Sequence, residues 1–184
     1  MLKEVHHTVM HSYPGLVALI TAASGTKRSL MAAGWHSWIS YEPPIFGISV
    51  APERYTHHIM EEAGSFAVQF LPAGCESVIQ TAGSFSSSET DKFTLTGVET
   101  FTGHLGHPIL SDAYTAYECR TIHQHSFGDH DWFAADILHF YRRDAQFRAD
   151  GLPEFSHASL PLYLGRSTYL RAGTSSETVQ HRFR

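Results

Sequence analysis

The sequence predicts a mainly β fold: an antiparallel barrel of Greek-key type with a few short helices on its flank. Three observations carry that prediction. Apolar runs of strand length recur between glycine and proline punctuation, at Leu16–Thr21, Ile45–Val50 and Ser65–Leu71. Two longer stretches, Ala113–His125 and Trp132–Arg142, flank the turn-like segment Ser126-Phe127-Gly128-Asp129-His130 as the arms of a hairpin do. Helical periodicity is confined to short segments, and no internal repeat or heptad pattern occurs.

In chain order, Tyr13-Pro14-Gly15 is a turn signal before the first strand, which turns back through Gly25 into a returning strand at Arg28–Ala33. The segment from Gly34 to the double proline reads as an irregular turn, because Pro43-Pro44 biases Glu42 away from helix. Pro52 ends the strand Ile45–Val50, since proline cannot donate to a ladder. From Thr56 the pattern turns helical, with Ile59, Met60 and Ala63 on one face, Thr56 as N-cap and Gly64 as C-cap. Ser65–Leu71 alternates with period two and reads as a half-buried strand. Cys75–Ala82 reads as a second short helix, and serine-rich Gly83–Glu89 as a mobile loop. After the final hairpin the chain is irregular with one more short strand. The domain is taken as residues 1–170 and the polar tail as 171–184.

The chain has 184 residues, 42% hydrophobic and 17% charged, which suits one globular domain. A formal net charge of -5 gives no basic field for phosphate backbones or anionic lipid, so neither nucleic acid nor a membrane is expected as partner. No apolar run is long enough to span a bilayer, and the N-terminus lacks the apolar core of a signal peptide, so the expected location is cytoplasmic. Cys75 and Cys119, far apart and outside any CxxC, suggest neither a disulfide nor a cysteine zinc site. Cys119 reads as buried and inert, and Cys75, opening a helix, as a thiol of lowered pKa. There are 14 histidines. His123, His125 and His130 could group around zinc or iron, but no HExxH or helical HxxxH occurs and carboxylates are not grouped with them, so no metal site is expected. His6, His7 and His11 read as a solvated segment, and His57-His58 as part of the helix start.

The stretch from Ser29 to His58 carries the chemistry. A phosphate needs fixed donors in a positive potential, and a helix N-terminus supplies both. Arg54 offers a planar fork of donors, the Thr56 hydroxyl a further contact, and His57 another donor. The plainer reading, a capping Thr56 and a solvated Arg54, stands beside this one. Met31-Ala32-Ala33-Gly34 is small enough for a planar ring to lie against backbone, with Trp35 and Trp38 as walls. Here too a plainer reading stands, in which both tryptophans are core aromatics. G-x-S-x-G, G-x-G-x-x-G and P-loop motifs are all absent.

Taken in order, YPGLVALIT, SLMAAGWHSWISYEPPIFGISVAPERYTHHI, SFAVQF, DKF, GHPILSDAYTAYECR, FGDHDWF and PLYLGRSTY resemble the flavin reductase-like, FMN-binding split-barrel proteins, over roughly Tyr13 to Tyr169. The resemblance implies a split-barrel homodimer with one FMN per subunit near the dimer interface. It implies that Ala32, Ala33, Gly34, Trp35, His36 and Ser37 meet the isoalloxazine ring and ribityl chain, and that Ser49, Val50 and Ala51 line the flavin. Arg54, Thr56 and His57 would hold the phosphate, with Lys92 and His130 close to the flavin or the nicotinamide. The implied activity is hydride transfer from NAD(P)H to flavin N5, as in the reductase component of a two-component monooxygenase. His130, presented by the turn at Gly128 and Asp129, is the expected catalytic group on the open flavin face. Two other readings stay open: a flavoredoxin-like FMN electron carrier without its own nicotinamide site, serving another redox protein, and a histidine-rich metal-binding barrel. The chain departs from many relatives in having Ala135-Asp136 where they carry glycine-glutamate, and in the two indoles of Trp35-His36-Ser37-Trp38.

Overall fold

The computed structural model describes residues 4, 13–154, 159–173 and 176. His6, His7, His11 and most of the expected tail lie outside them. The strands are β1 (Gly15–Leu16), β2 (Ala18–Ser24), β3 (Lys27–Ala33), β4 (His36–Tyr41), β5 (Pro44–Val50), β6 (Ser65–Phe70), β7 (Thr100–Thr102), β8 (Pro108–Leu110), β9 (Thr115–Phe127), β10 (His130–Arg142), β11 (Leu160–Gly165) and β12 (Thr168–Ala172). The helices are α1 (Tyr55–Ala63), α2 (Glu76–Ser84) and α3 (Lys92–Thr96), with one 3-10 turn at Asp144–Gln146. Among the described residues no helix is long and apolar enough to cross a membrane.

Seven strands form one antiparallel sheet in the order β3-β2-β6-β9-β10-β5-β4. Its outer strands, β3 and β4, are consecutive in the chain and joined only by Gly34 and Trp35. In a flat sheet those edges would stand about 29 Å apart at the usual strand spacing. A two-residue link reaches only about 10 Å. The sheet must therefore curl until those two strand ends come together at the link, a seam where the Trp35 carbonyl accepts a 2.9 Å hydrogen bond from Ser49 N that continues the β4–β5 ladder. The result is the split barrel, filled by Ile20, Phe46, Ile48, Phe66, Val68 and Phe133 among others. β11 and β12, with β1, form a small second sheet that covers α2, and Arg171 grips Glu76 with two hydrogen bonds of 2.7 and 2.9 Å.

Several elements differ from the sequence reading for physical reasons. The Gly34–Tyr41 stretch is mostly an edge strand, β4, paired to β5; none of its side chains is fully buried, so no apolar alternation marks it. β6 is buried on both faces rather than half-buried. The face carrying Ala67 and Gln69 is covered by the β7–β8 arm, and Gln69 is satisfied by Thr21 Oγ1, the Pro108 carbonyl and Leu110 N. The N-cap of α1 is Arg54, not Thr56: Arg54 is extended and its carbonyl accepts from His57 N at 2.9 Å, which places Thr56 inside the first turn. Gly64 does close the helix, in the left-handed region at φ 63°. The β9–β10 turn is tighter than the five residues expected, since Phe127 pairs with His130 and only Gly128, at φ 63°, and Asp129 lie outside the ladder. β12 runs through Ala172, so Arg171 and Ala172 belong to a strand instead of the tail.

Candidate active site

An open cavity of about 490 Å³ lies over the seam. Its floor is the end of β3 and the link, Met31 to Trp35. One wall is the end of β5 with the start of α1, from Ser49 to Thr56, and the other is the end of α2 and the following turn, from Ala82 to Ser87. Lys92 and His130 complete it. The structure thus brings Ala32, Ala33, Gly34, Trp35, Ser49, Val50, Ala51, Arg54, Thr56, Lys92 and His130 to one hollow.

Three expected residues are not brought there. The His36 ring turns inward, bonding the Leu16 carbonyl at 3.0 Å and packing against Phe46 and Phe70. Ser37 is exposed and donates to the Trp38 carbonyl. His57 is buried on the other side of α1, with Nε2 2.8 Å from Asp131 Oδ2. Trp38 does not wall this cavity either: it stacks with Tyr41 and meets Phe46 and Tyr117 edge-on, away from the hollow. The sequence reading expected a mobile loop at Gly83–Glu89; Gly83 and Ser84 instead finish α2, and the Ser87 hydroxyl bonds both Leu30 N and the Leu30 carbonyl at 3.2 Å. This serine turn is the wall that sequence reasoning missed. The cluster of hydroxyls just before Asp91-Lys92 was its one available signal.

The electrostatics separate the cavity into two ends. At one, Lys92 is only 3% exposed, and its ammonium donates to the Leu30 and Ala82 carbonyls at 2.8 and 2.7 Å. Two of its three donors are thereby used. Desolvation, with help from the nearby Arg54 charge, pulls its pKa down to about 8. Among the described residues Lys92 forms no ion pair, and Arg54 has Glu53 only at the limiting 4.0 Å. Two cations converge beside the first turn of a helix, one of them buried with no carboxylate partner among the described residues, and such an arrangement suits an anion. At the other end Ala32, Ala33 and Gly34 leave room against backbone, and the Trp35 and His130 rings meet at 4.8 Å between centroids, tilted by 53°. His130 Nδ1 lies 2.7 Å from Asp129 Oδ1, and the Asp129 carboxylate is itself almost fully exposed. The donor set and the small-residue floor fit a planar ligand ending in a phosphate.

Neither cysteine contributes. Cys119 is fully buried and its thiol is pushed up by desolvation. The sequence reading of Cys75 as a low-pKa thiol is overturned: burial, then the Asp112 and Glu76 charges, raise it. Ala135 is buried in β10, and Asp136 pairs with Arg120 at 3.4 Å.

Comparison with known proteins agrees with this geometry. An FMN-binding protein from Thermus thermophilus, solved with 1-cyclohex-2-enone bound, is 30% identical over 97% of this chain and 99% of its own, with a TM-score of 0.85. Flavoredoxin from Methanosarcina acetivorans is 27% identical over 97% of this chain and 94% of its own, with a TM-score of 0.82. Among sequences, the FMN reductase (NADH) RutF of Stutzerimonas stutzeri is 25% identical over 79% of this chain and 82% of its own. The family model of the flavin reductase like domain matches residues 10–173, nearly the whole described chain, and the protein therefore belongs to the flavin reductase-like family.

Proposed function

We propose that the chain binds FMN in the seam cavity and acts as an NAD(P)H:flavin reductase-like oxidoreductase, in the cytoplasm and as a homodimer. The observation that carries this reading is the convergence of Arg54 and the buried Lys92 on one end of a hollow whose other end is floored by Ala32-Ala33-Gly34. FMN, when bound, supplies the hydride and electron chemistry. The chain's residues do the rest. Arg54, Thr56 and the remaining donor of Lys92 hold the phosphate, and Ser49, Val50 and Ala51 line the flavin. The backbone of Ala32 to Trp35 orients the ring, while His130 flanks the face left open to a nicotinamide.

Kinship with an NADH-dependent FMN reductase supports the choice of hydride donor. A flavin-dependent monooxygenase component is the kind of acceptor this activity would serve; a structural neighbour is itself a nitrilotriacetate monooxygenase component B. The homodimer reading rests on the outer aromatic face, where Trp38, Tyr41 and Phe140 stand 48, 92 and 56% exposed around a hollow of about 580 Å³.

A second reading, an FMN electron carrier reduced by another protein, is favoured by one contact. Trp35 and His130 already pack on each other at the end where a nicotinamide would stack. Anaerobic mixing of the FMN-loaded protein with NADH and with NADPH separates the two. Rapid bleaching of the flavin is expected for the reductase; no bleaching with either donor leaves the carrier. A colourless protein unable to take up FMN overturns both.

A further inference from the structure

We propose that His57, His58 and Glu61 form a binding site for a zinc-class divalent cation on the outer side of α1, distinct from the flavin cavity. His57 Nε2 lies 2.8 Å from Asp131 Oδ2, and that carboxylate also accepts from Ser126 and Gln124. A carboxylate so surrounded by donors is ionised, so it takes the Nε2 proton in its hydrogen bond and leaves Nδ1 as the bare lone pair. Nδ1 is fully buried and has no hydrogen-bond partner. It nevertheless stands 3.3 Å from Glu61 Oε2, while Gln124 holds the other Glu61 oxygen at 3.0 Å. A lone pair facing a carboxylate oxygen at that distance is repulsive unless a positive species lies between or beside them.

His58 supplies the third donor. One ligand atom from each of His57, His58 and Glu61 lies within 4.8 Å of the others. His58 and Glu61 are exposed, so modest rotation of two free side chains closes the set onto one ion. Two imidazoles and one carboxylate suit zinc and its first-row neighbours and are a poor set for calcium or magnesium, which take oxygen ligands. The Asp131 carboxylate behind the inner imidazole is the arrangement that fixes a metal-ligating histidine's tautomer and raises its basicity. A bound ion would tie α1 to the β9–β10 hairpin that carries Asp131 and, one residue earlier, His130.

The test is calorimetric titration of Zn²⁺ into the untagged, chelator-stripped full chain and into its His58→Ala and Glu61→Gln variants, both changed at exposed positions. One Zn²⁺ per chain is expected for the parent, weakened at least tenfold in each variant. Zinc should also raise the parent's melting temperature and not the variants'. Binding unchanged by either substitution would assign the metal to other histidines and overturn the proposal. Absence of saturable binding overturns it equally.

Discussion

The two ends of the seam cavity are built on different physical terms. The Arg54–Lys92 end is electrostatic: a buried ammonium is fixed by two carbonyls beside a helix start, and among the described residues no carboxylate forms an ion pair with it. The Trp35–His130 end is steric, with His130 steadied by the exposed Asp129 and by contact with an indole. One end is made to hold a ligand, the other to leave it reachable. The difference teaches that affinity and reactivity should be separable by mutation in this protein.

The largest effect is expected from Arg54→Ala. Loss of a charge-assisted contact typically costs about 1.5–3 kcal/mol, so FMN affinity should fall roughly tenfold to a hundredfold in a fluorescence titration. A change below about threefold would mean that the electrostatic end is not the anchor. Next comes pH. An anion stabilises the protonated lysine, and Lys92 in the unliganded protein loses its proton near pH 8. Affinity should therefore be full below pH 8 and weaken above it by up to about tenfold per pH unit, because binding must then return the proton. Lys92→Met should lower the affinity below pH 8 and flatten the profile; a wild-type profile flat from pH 7 to pH 9 would break the assignment.

His130→Ala probes the steric end. FMN affinity should stay within about threefold of the parent while the rate of flavin reduction by NADH drops by about tenfold or more, less than the roughly hundredfold of a general acid or base because His130 flanks the face without transferring a proton. If affinity and rate fall together, the two ends are not separable. Asp129→Asn is the smallest step: its exposed pairing with His130 should change the reduction rate by no more than about twofold in stopped-flow traces.

Much of the barrel was legible because its rules are local. Gly64 announced the end of α1, and the alternation of Phe66, Val68 and Phe70 announced β6. Arg54 and Thr56 were legible as cavity residues because a helix start is visible in sequence. What could not be read depends on residues far apart in the chain. The burial of Lys92 follows from the Leu30 carbonyl, 62 positions away, and the serine wall from Ser87 docking on the same residue. His57 was assigned to the phosphate by its neighbours, yet Asp131, 74 positions on, turns its ring the other way. β4 escaped because an edge strand with exposed side chains lacks the apolar rhythm that marks a buried one.

The two-residue link between β3 and β4 has a mechanical corollary. The ligand site straddles the one line along which the barrel can unzip, so prying the sheet open and emptying the cavity are the same movement. A bound flavin then acts as a rivet across that line. Resistance to heat, to proteases and to amide exchange along β3 and β5 should rise with flavin concentration.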